Sequence, residues 1–515
     1  MAIRWINGKL PRTSESNSKQ NLPGHIEIGE KDIGVILPNF NQRCYLWHYS
    51  YVAGDAMNHH FDSIIIGAGQ AGPSLAGRLT QAGQQVAVIE RKLFGGTCVN
   101  TGCIPTKAMV ASAHAAHIAR RANDFGVTIQ GSIQVDLKAV KARKDAISAK
   151  SRNGVEQWLR GMKNCTVFHE SARFVSSHEI AAGSETMNAD RIFINVGGRA
   201  VIPDFPGLER VSYLTNSSIL ELEEIPEHLV IVGGSYVGLE FAQMFRRFGS
   251  EVTVVEKGSR LILHEDEDVS AGVKEILESE GIHIRLRSEC IAFEESDKGI
   301  SVHVSCEEGE PKAHGSHVLL AVGRTPNTDD LGLDSAGVQT DERGYILVDD
   351  QLRTKVQGIW AMGDCNGKGA FTHTSYNDFE IVAANLLDND PRRVSDRIPA
   401  HALYIDPPLG RIGLSEPEVR QSGRPAMIGT RPMTKVGRAV EKGETMGFMK
   451  VLVDAESKKI LGAAILGTGG DEAIHCILDV MYSGCPYTTL QRAMHIHPTL
   501  SELIPTVLGD LHPLT

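Results

Sequence analysis

The chain is short of the features that would carry it into a membrane or onto nucleic acid. In 515 residues no apolar run reaches the ~18 positions of a spanning helix. The opening Met1-Ala2-Ile3-Arg4-Trp5-Ile6 is not followed by the apolar core of a secretory signal. Basic residues are the minority, 52 Lys and Arg against 63 Asp and Glu, and the formal charge of −11 offers no basic patch to a phosphate backbone or an anionic lipid surface. Nine cysteines, an odd number scattered except for one close pair, do not make a secreted disulfide scaffold. They fit a reducing compartment with one working disulfide, so the expected location is the cytoplasm, with no nucleic-acid or membrane partner. What remains is an ordinary globular composition, 42% hydrophobic and 22% charged, long enough for roughly three or four domains.

Residues 1–60 hold a Ser/Asn-rich stretch from Thr13 to Asn21 and no clear periodicity, which predicts a loosely ordered extension. Met57, four residues before the strand expected from Phe61, is a candidate translation start. From Phe61 the pattern becomes strand, glycine turn, helix, strand. Ser63-Ile64-Ile65-Ile66 reads as a buried strand, Leu75, Ala76 and Leu79 as a helical face, and Gln85 to Glu90 as the next strand. The unit recurs at Leu229 to Val232, Gly233 to Gly238 and Glu251 to Glu256, and from about Ala400 an α+β segment follows without another glycine fingerprint.

Gly67-Ala68-Gly69-Gln70-Ala71-Gly72 sits where a strand turns into a helix. The first glycine permits the tight turn, the second lets a pyrophosphate approach the backbone, and the third packs helix against strand. The helix N-terminus adds amides and a positive dipole end. Glu90, 18 residues beyond Gly72, can accept hydrogen bonds from ribose hydroxyls. In the second unit Glu256 again lies 18 residues beyond the last glycine, Gly238, while Ser235 replaces the middle one. A carboxylate at that position favours a free 2′-hydroxyl and repels a 2′-phosphate, so NAD(H) is favoured over NADP(H), with Lys257 and Arg260 nearby softening the preference.

Between the units stands Gly95-Gly96-Thr97-Cys98-Val99-Asn100-Thr101-Gly102-Cys103-Ile104-Pro105-Thr106-Lys107. Five residues of regular helix rise roughly 7.5 Å, whereas a disulfide wants Cα atoms about 4.4–6.8 Å apart. The segment must open into an irregular turn if the two sulfurs are to bond, and Gly102 and Pro105 suit a turn followed by a helix start. Two nucleotide sites and a dithiol imply an electron relay from nicotinamide through a flavin to a disulfide.

In these motifs the chain from about Phe61 to the C-terminus resembles the flavin-dependent pyridine nucleotide–disulfide oxidoreductases, among them dihydrolipoyl dehydrogenase, glutathione reductase and mercuric reductase. The resemblance implies an α/β fold with two Rossmann-like domains, for FAD and NAD(P), and a C-terminal α+β dimerisation domain. The expected division is 61–200 with 325–395 for FAD, 201–324 for NAD(P) and 396–515 for dimerisation. It implies that Cys98 is the interchange thiol that meets the external substrate and Cys103 the charge-transfer thiol beside the flavin. Lys107 is similar to the lysine near flavin N5, Glu240 to its ion-pair partner, and Tyr236 to the tyrosine that gates the nicotinamide pocket. Thr354 to Asp364 resembles the second flavin motif, with Asp364 on the ribityl chain, and Ala321 to Asn327, with Gly323, the segment that closes the pyridine-nucleotide domain. His497-Pro498-Thr499-Leu500-Ser501-Glu502 resembles the catalytic His–Glu pair, which the family supplies from the other subunit of a homodimer.

The implied activity is NAD(P)H-dependent, FAD-mediated turnover of a small-molecule or protein-bound disulfide or dithiol. The alternatives are reduction of a metal ion or quinone, and a redox-sensing module that binds nucleotides without turnover. The closing Leu511-His512-Pro513-Leu514-Thr515 lacks the vicinal cysteines of mercuric reductase, Cys44 stands alone, and no metal ligands are expected. Cys476 and Cys485 are expected in the core, Cys365 beside the flavin motif, and His495 in a packing role. The run Glu265-Asp266-Glu267-Asp268 reads as a solvated helix start.

Overall fold

A computed structural model describes residues 58–296, 299–306 and 309–514. Most of the expected extension, with Cys44 and Met57, lies outside the described residues.

The first sheet has the order β3-β2-β1-β6-β5-β4. Its strands are β1 (Asn58–Ile66), β2 (Val86–Ile89), β3 (Cys165–Phe168), β4 (Ala172–Phe174), β5 (Glu179–Ala182) and β6 (Glu185–Ile194). β1 lies between β2 and β6, parallel to both. Ser63 to Ile66 are therefore covered on both faces, which explains why the strand reads as a continuous apolar run rather than an alternation. α1 (Gly72–Gln81) joins β1 to β2 and buries Leu75, Ala76 and Leu79, the face its spacing predicts. α2 (Gly96–Asn100), α3 (Cys103–Arg120) and α4 (Leu137–Gly161) fill the connection from β2 to β3.

β7 (Gly198–Ala200) leads out of the first sheet, and a second begins with β8 (Tyr213–Leu214) and β9 (His228–Val232). It continues through α5 (Tyr236–Phe248), β10 (Glu251–Val255), α6 (Glu267–Ser279) and β11 (His283–Arg285). A three-stranded antiparallel layer, β12 (Ser288–Ser296), β13 (Gly299–Cys306) and β14 (Lys312–Gly315), precedes β15 (His317–Leu320), giving the order β11-β10-β9-β15-β8. The chain then returns: β16 (Arg324–Pro326) pairs antiparallel with β7, and β17 (Ile359–Ala361) joins the first sheet beside β6. Between them α7 (Leu333–Ala336) packs on β4, and after β17 comes α8 (Thr372–Ala383), which packs on α1.

The C-terminal part is one antiparallel sheet, β18 (Ala400–Leu403), β19 (Leu409–Gly413), β20 (Ala426–Pro432), β21 (Phe448–Asp454), β22 (Ile460–Leu466) and β23 (His512–Pro513), in the order β18-β19-β22-β21-β20-β23. A single apolar core joins Met109 and Ala113 of α3, Leu239 and Phe245 of α5, and Leu403, Leu409 and Leu466 of this sheet. Among the described residues no helix is long and apolar enough to cross a membrane.

Two expectations are corrected. The acidic run does start a helix, but Glu265 and Asp266 are buried rather than solvated. Arg411 Nη1 meets Asp266 at 2.8 Å, and Lys450 Nζ reaches Asp266 at 2.7 Å and Asp268 at 2.6 Å, so two cations from the C-terminal sheet compensate the carboxylates in the interior. Cys476 and Cys485 are only half-buried: the helix Gly470–Ser483 turns Ala473, Ile474 and Ile477 inward and leaves Cys476 off that stripe, while Cys485 lies just past the end of the helix.

Candidate active site

The glycine loops are built alike. Gly67 (φ +102°) and Gly233 (φ +116°) take backbone angles that side chains disfavour, and a Cβ would lie 2.3 Å from the Asn195 carbonyl in the first and 2.4 Å from that of Ala321 in the second. Gly72 and Gly238 let each helix touch its own loop: a Cβ would meet the Gly67 carbonyl at 2.4 Å and the Gly233 carbonyl at 2.2 Å. Glu90 accepts from the amides of Ala68 (2.9 Å) and Lys92 (2.8 Å), and Glu256 from those of Gly234 (2.7 Å) and Gly258 (2.6 Å). Each predicted acid thus stands at the rim of its loop with the carboxylate held by backbone. Gly69 faces the side chain of Asn195, whose Nδ2 donates to the Gly67 carbonyl at 3.1 Å. Ser235, in extended backbone, precedes α5 directly and is exposed.

The dithiol segment opens as its spacing requires. α2 carries Cys98 and stops at Asn100, Thr101 and Gly102 leave helical geometry, and α3 starts again at Cys103. Cys98 is 5% exposed, whereas Cys103 is exposed. The two sulfurs are hydrogen-bonded thiols. That bond, with burial, pushes the Cys98 thiol well up, while the same bond, the Thr372 hydroxyl at 3.2 Å and the Lys107 charge hold Cys103 down at about 6 against its own burial. Its place at the first turn of an 18-residue helix adds the positive dipole end. One turn further, Lys107 Nζ meets Glu240 Oε2 of α5 at 2.6 Å and lies 4.5 Å from the centre of the Tyr404 ring. The Tyr404 amide donates to the other Glu240 oxygen at 3.1 Å. The Lys–Glu pair therefore ties the dithiol helix to the helix of the second loop.

Asp364 lies in the turn Gly363–Asn366 and faces a cavity of about 360 Å³ that Arg324, Tyr345 and Lys368 also line. Burial pushes its carboxyl up, and Arg324, 3.8 Å away, opposes that. Asp378 pins the turn, accepting from the Gly363 amide (2.8 Å) and Asn366 Nδ2 (2.9 Å). Gly323 lies between β15 and β16, its carbonyl accepting from the Val201 amide at 3.0 Å. Cys365 is fully buried, as expected. His497 and Glu502 pair at 2.9 Å through Nδ1, and the imidazole is 81% exposed in the single chain. His495 bonds the Ala493 carbonyl at 3.1 Å. Thr372, Tyr404, Asn195 and Asp378 were missed from sequence. Thr372, Tyr404 and Asn195 meet the site across more than a hundred residues of chain, Asp378 comes from the helix after the turn it pins, and no local pattern marks them.

The profile of the pyridine nucleotide-disulphide oxidoreductases matches residues 61–378, and that of the family's dimerisation domain matches residues 399–508. The chain belongs to this family. The probable pyridine nucleotide-disulfide oxidoreductase RclA of Escherichia coli (strain K12) is 35% identical over 463 residues, 88% of this chain and 99% of RclA. Mercuric reductase of Streptomyces lividans is 32% identical over 449 residues, 86% of this chain and 94% of the relative. Dihydrolipoyl dehydrogenase of Chlamydia muridarum is 32% identical over 456 residues, 87% of this chain and 96% of the relative. Among solved structures, the HOCl-induced flavoprotein disulfide reductase RclA of E. coli superposes with a TM-score of 0.80 at 33% identity, covering 87% of this chain and 99% of that one. Its Cu(II) complex gives a TM-score of 0.79 at 34% identity over the same shares.

As a pyridine nucleotide–disulfide oxidoreductase the chain is a flavoprotein enzyme that uses FAD and a pyridine nucleotide. The residues present fit that pair of cofactors. Each loop that a Cβ would fill is rimmed by an acid, and the dithiol loop leans on the first of them: a Cβ on Gly96 would meet Gly69 Cα at 2.8 Å.

Proposed function

We propose that this enzyme reduces, or reversibly oxidises, a disulfide/dithiol substrate with NAD(H), as a homodimer whose active site is shared between subunits. The observation that carries the reading is the Cys98–Cys103 pair on two helices that begin at the first nucleotide loop, locked by Lys107–Glu240 to the helix of the second. FAD, when bound, would supply the two-electron carrier between nicotinamide and sulfur. Gly67, Gly69, Gly72 and Glu90 would hold its adenosine diphosphate part and Asp364 its ribityl chain; Gly233, Ser235, Gly238 and Glu256 would hold NAD(H), with Gly323 beside them and Tyr236 as the gate. The same reading keeps the domain division at 61–200 with 325–395, 201–324 and 396–515, and the cytoplasm as the compartment.

The chemistry assigned to the chain's own groups balances. Nε2 of the partner subunit's His497 takes the proton of the Cys98 thiol, the thiolate so formed attacks one sulfur of the substrate disulfide, and the first substrate thiolate leaves and takes that proton back. Glu502 holds that ring through Nδ1. Cys103, held as thiolate, then attacks the Cys98 sulfur, closing the internal disulfide and releasing the second substrate thiolate. Met494 and Ile496, 99% and 81% exposed beside His497, are apolar surface that a second subunit would cover. Support for NAD(H) comes from Glu256, and from Arg260, whose guanidinium turns onto the carbonyls of Leu263 (3.1 Å) and Glu265 (3.4 Å) instead of standing free for a 2′-phosphate.

Anaerobic titration of the holoenzyme with NADH and with NADPH tests the reading. NADH is expected to raise a long-wavelength thiolate–flavin absorbance that is half lost at about pH 6, where Cys103 takes up its proton. Alkylation of the reduced holoenzyme should then mark Cys98, because bound flavin would cover Cys103, the more exposed thiol of the single chain. Flavin bleaching without the band, or disulfide turnover that survives Cys98→Ser, would sink the proposal. A second reading, reduction of a thiol-bound metal ion, is favoured by the Cu(II) complex of the E. coli relative. It predicts NADH oxidation driven by Cu(II) that is lost in the same variant.

A further inference from the structure

The helix that opens after Ser235 carries two side chains on one face, a turn apart. Glu240 holds Lys107. Tyr236 enters a cluster drawn from three distant segments. Its hydroxyl donates to Glu265 Oε1 at 2.8 Å, and its ring stands edge-on to His401 at 5.4 Å and to Phe371 at 6.2 Å. His401 lies flat on Phe371, 5.7 Å away at 5°, and its Nε2 meets the same Glu265 oxygen at 2.6 Å. Phe371 is followed directly by Thr372, the neighbour of the Cys103 sulfur.

Glu265 is 2% exposed, and its second oxygen has no hydrogen-bond donor, only the Arg411 guanidinium at 3.9 Å. Bonds from His401, the Arg411 charge and the Tyr236 hydroxyl hold its carboxyl below the usual range against the burial that raises it. Burial, with this carboxylate beside it, keeps the Tyr236 phenol protonated and therefore a donor. A hydrogen bond to a buried anion is stronger than one between neutral groups, and opening it leaves the anion one donor short.

We propose that Glu265 is a positioning residue for cofactor admission: its carboxylate, fixed by His401 and Arg411 of the C-terminal sheet, latches Tyr236 shut, and the nicotinamide must break this bond to enter. The inference rests on the reading of Tyr236 as the gate. In this arrangement the bolt of the second nucleotide unit, Glu265, is itself held by residues of a different part of the fold. Loss of the bolt then shows in binding rather than in the chemistry at sulfur.

Anaerobic stopped-flow reduction of the holoenzyme over a range of NADH concentrations separates the dissociation constant from the limiting rate. Tyr236→Phe keeps the ring and deletes only the bond, so the NADH Kd is expected to fall roughly tenfold. Glu265→Gln keeps the shape and weakens the acceptor, so a smaller fall, roughly threefold, is expected. The double variant should bind no tighter than Tyr236→Phe alone, because both changes remove one bond; merely structural damage would not give that non-additivity. Tyr236→Ala checks the gate itself. Tighter binding in the Ala variant with unchanged Kd in the Phe and Gln variants overturns the latch and leaves the gate. Unchanged Kd in the Ala variant overturns both. Should Glu265→Gln fail to fold, Tyr236→Phe decides alone, since its ring contacts are intact.

Discussion

The two nucleotide-binding units share the same turn, the same 18-residue interval and the same carboxylate bridging two amides, yet their loops are covered in opposite ways. Over the first, the cover is backbone and a buried amide. The Gly95 amide donates to the Ala68 carbonyl at 2.8 Å, Gln70 Nε2 donates to the Gly95 carbonyl at 3.0 Å, and Asn195 closes the turn from beneath. At the second, Ser235 is exposed, Val237 is 41% exposed, and Tyr236, proposed as the gate, is held by a single hydrogen bond to Glu265. Backbone cannot retract without unfolding the segment, whereas a side chain leaves in a rotamer change. On the proposed reading, the difference would suit a cofactor that stays bound at the first unit and one that is exchanged at the second.

The largest test of that contrast is a matched pair. Gly67→Ala places a methyl 2.3 Å from the Asn195 carbonyl at φ +102°, and the purified protein is expected to lose most of its flavin, read as the flavin-to-protein ratio after desalting. Gly233→Ala repeats the insult at 2.4 Å in the second loop, and should leave a yellow protein that dithionite reduces and NADH does not. A colourless Gly233→Ala protein would mean that the units are not separable. An intermediate effect is expected at Glu256. Removing its charge with Glu256→Gln should lower the ratio of kcat/KM for NADH to that for NADPH by roughly ten- to a hundredfold, the worth of a charged hydrogen bond. The smallest effect belongs to Ser235→Gly. The serine is exposed and its backbone is extended, so restoring the middle glycine should change KM for NADH by no more than about threefold. A large gain there would mean that Ser235 obstructs the phosphates.

The loops, both acids and the broken dithiol helix were legible because each is a local demand. A positive φ, a backbone touching its own helix or an interrupted helix restricts residue type at fixed spacing. The His497–Glu502 pair was legible through the family resemblance of its short motif, its members being five residues apart. What escaped is what closes over long separations. Thr372 is 269 residues from Cys103, and Arg411 is 145 from Asp266. Glu265 and Asp266 were misread because a run of charges normally faces water; only the folded chain brings Arg411 and Lys450, buried in the C-terminal sheet, against them. The relative burial of the two thiols was not legible either. It depends on how α2 seats against the first loop.

α3 carries more than the second thiol. Along its 18 residues, Lys107 is bonded to α5, His114 meets Asp406 beyond β18 at 2.6 Å, and Arg120 donates to the Arg247 carbonyl. Arg247 in turn binds Asp406 and Glu280, both at 2.7 Å. Dinucleotide-binding units are commonly treated as interchangeable parts, shuffled between proteins at their linkers. Here the seams run through one helix, so a recombinant that kept every sheet but imported a foreign helix in place of α3 would forfeit the thiol, the cation of Glu240 and the partner of Asp406 in one cut. The molecule inherits its nucleotide sites as a set.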